Sequence, residues 1–207
     1  MLTPQQITTL LVRHWTTLLW AGVIGVVLGV GLSVLRPLEF RSSIRLLITQ
    51  ESVSSDAYTA SRSAERVADD LSNIVYTTAF FDQVLSARFN INKDQFPSEE
   101  SKPAKRRRVW EKMVAPSVER GTGLLTISVY NQDPDQAKQI SQAIAFVLTQ
   151  QGWRYTSGGN ISVRLVDEPL VSSFPVRPNI PANGFVGLIL GALVGGAWVV
   201  VKRTSVK

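Results

Sequence analysis

Two long runs without a single charge fix most of what this chain can fold into. The first extends from Trp15 to Leu35, the second from Phe185 to Val201, and neutral residues carry the second back to Ile180. A bilayer core about 30 Å thick needs roughly 20 helical residues at about 1.5 Å each, and both runs meet that length. Core helices of soluble proteins are usually shorter and amphipathic, whereas these runs are apolar all round. Their flanks fit a membrane interface: Trp15 and Trp20 open the first run, Trp198 lies near the end of the second, and Arg36, Lys202 and Arg203 close them. No small-x-small cleavage site follows the first run, so it reads as an uncleaved anchor rather than a signal peptide.

Two spans place both termini on one side and a single globular segment on the other. The expected layout is an amphipathic lead (1–14), a first span (15–35), an α+β domain (36–174), a proline-rich strut (175–183), a second span (184–201) and a basic tail (202–207). Arg13, Lys202, Arg203 and Lys207 are the only charges in the tails, which favours cytoplasmic termini. Arg36, Arg41 and Arg45, directly after the first span, pull the other way. The chain carries 22 Lys and Arg against 16 Asp and Glu. That balance is spread over tails and domain and gives no reason to expect a nucleic-acid partner. The absence of cysteine removes disulfides and thiolate chemistry.

Periodicity orders the middle segment. A strand is expected at Phe40 to Thr49, then a serine-rich loop from Gln50 to Ser63. Helices follow near Ala64 to Tyr76 and Ala79 to Phe89, where Val67, Leu71 and Val75 and then Phe81, Val84 and Leu85 recur at helical spacing. A basic helix at Ala104 to Met113 leads to a hairpin: Val114 to Arg120, a Gly121-Thr122-Gly123 turn, then Leu124 to Tyr130 in strict alternation. Asp133-Pro134-Asp135 reads as a helix start, with an N-cap, a proline whose missing donor costs nothing, and an acid at the positive end of the dipole. A last strand spans Ile161 to Asp167. The fold class expected is α+β, a mixed four-stranded sheet packed on helices and flanked by two transmembrane helices.

Three motifs invite a functional reading. Pro175, Pro178 and Pro181 recur every third residue, the period of a polyproline II helix, and suggest a stiff strut coupling domain to membrane; a plain rigid linker is the competing reading. Gly187, Gly191 and Gly195 in the second span, and Gly25 and Gly29 in the first, stand four apart, the spacing that lets helix backbones approach closely within one chain or between chains. Lys105, Arg106, Arg107 and Arg108 are candidates to contact an acidic polymer; a solvated helix face explains them as well. Chemistry is harder to find. His14 is the only histidine, and no G-x-S-x-G or phosphate-loop motif occurs. Asp133 and Asp135 as a metal-binding pair of a sugar transferase would lack the nucleotide-binding domain such an enzyme needs. No catalytic residue, cofactor or metal is therefore expected.

Taken together, these residues resemble the polysaccharide co-polymerases, the Wzz-type chain-length determinants of bacterial surface polysaccharides. The resemblance rests on Phe40-Arg41-Ser42-Ser43-Ile44 directly after the first span and on Leu124 to Val129 leading into Asp133-Pro134 and Ala137. It rests further on Asp167-Glu168-Pro169, and on Pro175-Val176-Arg177-Pro178-Asn179 ahead of a glycine-rich span. It implies a non-enzymatic scaffold in the bacterial plasma membrane with cytoplasmic termini and an extracytoplasmic domain that forms homo-oligomers. It also implies control of the length or export of O-antigen, capsule or exopolysaccharide, with a polymerase or export machinery as partner. Only about 35 residues separate the second helix from the strand at Leu124, too few for the long helical arm of many relatives, so a tall bell-shaped assembly is not expected. With only Lys202 to Lys207 after the second span, the form expected is the short one without a fused kinase domain. A membrane-anchored activator of a separate cytoplasmic tyrosine kinase is the alternative.

Overall fold

The computed structural model describes residues 9–10, 12–51, 56–98, 100–155 and 160–204. The chain divides into two compact units: Glu39–Pro175, and a helical unit built from Met1–Leu38 and Val176–Lys207. Most of the expected amphipathic lead, and the end of the basic tail, lie outside the described residues.

In Glu39–Pro175, strand β1 (Phe40–Glu51) is followed by helices α2 (Ala57–Val75), α3 (Thr78–Ser86) and α4 (Pro103–Met113). Strands β2 (Val114–Val118) and β3 (Leu124–Asn131), helix α5 (Pro134–Gln151) and strand β4 (Asn160–Val171) complete it. The sheet order is β2-β3-β1-β4. All three neighbouring pairs are antiparallel, which corrects the expected mixed sheet. The topology explains it. β1 and β2 run in the same direction, as do β3 and β4, but a third strand lies inside each such pair, so no two parallel strands touch. This is the split βαβ arrangement, β-α-β-β-α-β.

Alternation builds the core. Ser42, Ile44, Leu46 and Ile48 of β1 and Leu125, Ile127, Val129 and Asn131 of β3 turn to the buried face. Ile44 pairs with Ile127 and Leu46 with Leu125. Helix α5 lays Ala137, Ile140, Ile144 and Leu148 on that face, and α2 adds Val67, Ala68, Leu71 and Val75. Each fully buried aliphatic side chain contributes about 1.5–3 kcal/mol from area removed from water. One polar pair lies among them: the hydroxyls of Ser42 and Ser141 hydrogen-bond at 2.7 Å, joining β1 to α5. The hairpin turn needs Gly121, whose φ is +72°. Pro116 falls in β2, an edge strand where a missing N–H is tolerated.

Two helices start or join differently from the sequence reading. Helix α2 begins at Ala57, seven residues before the expected start at Ala64, because Asp56 caps it through the Thr59 N–H at 2.8 Å. The serine and threonine content of 56–63 masked a helix that tertiary packing stabilises. Trp110 on α4 is fully buried, and its indole N–H donates to the Val75 carbonyl at 2.6 Å, closing the end of α2.

The helical unit contains α1 (Trp15–Val34) and α6 (Ile180–Thr204). Both are long and apolar enough to cross a membrane. Their large side chains face outward: Trp20, Val27, Leu32, Leu193, Val194 and Trp198 are each more than half exposed, which suits a lipid solvent and not water.

Candidate functional site

In the helical unit the glycines decide the packing. A Cβ added to Gly25 would collide with the Gly187 carbonyl, one on Gly187 with the Gly25 carbonyl, and one on Gly191 with the Ala21 carbonyl. On Gly29 it would overlap the Asn183 carbonyl, and on Gly195 it would come within 2.6 Å of the Ala21 Cβ. All five expected packing glycines therefore lie on one seam, and α1 and α6 run antiparallel along it. Ala21 and Asn183 belong to the same seam and extend its four-residue spacing, each standing four residues before the first seam glycine of its helix.

A polar contact locks one end. The Ser33 hydroxyl donates to the Gly29 carbonyl at 2.9 Å and accepts from Asn183 Nδ2 at 2.7 Å. Ser33 is 2% exposed. Serine and asparagine are the side chains that bond across helices in lipid, and that was the available signal. Beside the seam runs an apolar groove of about 650 Å³, walled by Leu28, Leu32, Val186, Leu190 and Val194, with Ser33, Arg36 and Asn183 also lining it.

The proline segment is not a continuous strut. Asn179 caps α6, its Oδ1 accepting the Ala182 N–H at 3.1 Å. Pro181 occupies the first turn of the helix, where its missing donor is not needed. Pro175 and Pro178 precede the helix, so the three rings do not line one edge of a polyproline II helix over 175–183.

The basic run also divides. Arg106 is buried at 6% exposure, ion-pairs with Asp82 on α3 and stacks 5.0 Å from the centre of the Phe81 ring. Phe81 in turn packs edge-on against Phe96, and Trp110 is tilted against both, with ring centres 5.0–6.4 Å apart. Arg106 is thus withdrawn from any polymer contact. Its helical position, four residues before Trp110, puts it on the inward face. Lys105, Arg107 and Arg108 are exposed.

Asp133 caps α5, accepting the Asp135 N–H at 2.9 Å. Among the described residues no group of three His, Asp or Glu side chains converges to hold a metal. A polar cleft of about 420 Å³ lies at the end of the sheet where β1 begins, lined by the amides Asn92, Gln95, Asn131, Gln132 and Gln136 together with Glu39, Lys112, Asp133 and Tyr130. The amides hold one another across three segments. Asn131 Nδ2 donates to Gln95 Oε1 at 2.7 Å, and Gln136 Oε1 accepts the Asn92 N–H at 2.8 Å. Burial raises the phenols of Tyr76 and Tyr155 above their usual pKa; the Tyr155 hydroxyl donates to Gln83 Oε1.

Neither protein-family models nor curated proteins give a match to this chain.

Proposed function

We propose that the protein is a non-enzymatic scaffold of the bacterial plasma membrane that regulates chain length or export of a surface polysaccharide, whether O-antigen, capsule or exopolysaccharide. One observation carries the reading: an α+β domain inserted between two membrane-length helices that knit together through glycines. Both termini are cytoplasmic and the domain extracytoplasmic. Homo-oligomers of the domain stand on the membrane beside a polymerase or export complex.

Deleting the gene and separating the surface polysaccharide on a gel tests the function. The expected result is a broadened or shifted length distribution; an unchanged length and amount would overturn the proposal. Sidedness is tested through the absence of native cysteine. A Lys105→Cys variant should react with a membrane-impermeant maleimide added to whole cells or spheroplasts, and labelling only after lysis would reverse the topology.

A further inference from the structure

We propose that the groove beside the glycine seam is a binding site for one anionic lipid, whose headgroup carries both a phosphate and a hydroxyl. The inference needs α1 and α6 to lie in a membrane and does not depend on the polysaccharide function.

The groove is a product of the seam. Where glycines bring the two backbones together, no side chain fills the space beside the line of contact, and the larger neighbours stand off as walls. The lining from Ala21 to Arg36 extends about 22 Å along α1, against about 15 Å for the apolar depth of one leaflet. A lipid tail therefore fits within its length.

Proton accounting at the polar end selects the headgroup. The Ser33 hydroxyl spends its hydrogen on the Gly29 carbonyl, so towards Asn183 it acts as acceptor, and Asn183 presents its NH₂. That leaves Asn183 Oδ1 as an acceptor with no partner among the described residues. Arg36, two residues past α1, lines the same groove and is exposed, and its guanidinium likewise has no partner among the described residues. One end of an apolar groove thus holds an open cation and an open neutral acceptor. Phosphate answers the first and an O–H or N–H donor the second; beside the Arg36 cation a neutral hydroxyl meets no like-charge repulsion, whereas an ammonium would. No acidic residue lines the groove.

A second copy of the chain is a poorer occupant. Two chains inserted with the same orientation and paired across this groove by a two-fold axis would bring both Arg36 residues to the same membrane depth, like charge against like.

The full chain is reconstituted in nanodiscs of mixed phosphatidylglycerol and phosphatidylcholine and released for native mass spectrometry. One phosphatidylglycerol per chain is expected to be retained, preferred at least tenfold over phosphatidylcholine. Arg36→Gln should remove most of the preference. Leu28→Trp, which fills the groove without touching the seam glycines, should abolish retention while helix content by circular dichroism is unchanged. Retention of phosphatidylserine equal to phosphatidylglycerol would overturn the role of Asn183. Equal retention of phosphatidylcholine, or undiminished retention in Leu28→Trp, would overturn the site. A high yield of Leu28→Cys crosslinked dimers in the membrane would assign the groove to a second copy instead.

Discussion

The domain and the helical pair hold themselves together by opposite means. Among the described residues, Glu39–Pro175 buries large side chains, Trp110, Phe80, Phe81 and nine Leu and Ile, with almost none of their surface exposed. The helical pair points its large side chains outward and puts glycine and alanine at its contact. The difference is one of solvent. In water, removing apolar surface is the main driving force. Between lipid tails an apolar side chain gains nothing by moving inward, and what remains is close packing and interhelical hydrogen bonding. The same residue, leucine, is thus adhesive in one half of the molecule and mere filler in the other.

The largest break in this contrast should come from truncating the domain's central aromatic. Trp110→Ala leaves a cavity among Phe81 and Phe96 and an unpaired Val75 carbonyl, and should cost about 3–5 kcal/mol. Denaturant melts of the domain should show it, while the helical content of the spans survives. The converse change is enlargement. Gly25→Leu with Gly187→Leu should separate the helices, at about 1–3 kcal/mol per overpacked site, and lower crosslinking between cysteines placed by Ser33→Cys and Asn183→Cys. The domain's melting should not move; if it did, the two units would not be independently stabilised.

Two smaller tests sharpen the contrast within the domain. Arg106→Gln removes a half-buried ion pair and a ring contact and should destabilise by about 1–3 kcal/mol. Changing Lys105, Arg107 and Arg108 together to Gln should stay within about 0.5 kcal/mol, because those side chains are exposed. The smallest effect expected is a pH dependence. The Thr59 side-chain and backbone hydrogen bonds hold the Asp56 carboxyl below its usual pKa. Its contribution to α2 is therefore present above the ordinary carboxylate pKa and is lost as pH falls through the lowered value. Acid titration of helix content should show that step, and Asp56→Asn should flatten it.

Local signals made most elements legible from sequence: the spans by charge-free length, the hairpin by alternation and Gly121, α5 by Asp133-Pro134. What stayed hidden was tertiary. Strand order and direction depend on which strand slips between two others, and no residue marks that. Arg106 looked like its three neighbours, because a run of like charge conceals which member faces inward. Pro181 carried two compatible meanings, a three-residue repeat and a helix start, and the Asn179 cap decided between them. The glycine spacing was legible because close backbone approach leaves no substitute for glycine.

The register of β1 with β4 has a consequence for how such a chain can change over time. Ser42 pairs with Val171, so the domain's first and last residues emerge side by side from adjacent strands. A unit whose ends meet is a cassette. It can be lengthened, shortened or exchanged between the same two anchors without re-threading either, provided the new occupant also brings its ends together. Variation in this architecture can therefore fall on the insert while the anchors stay constant.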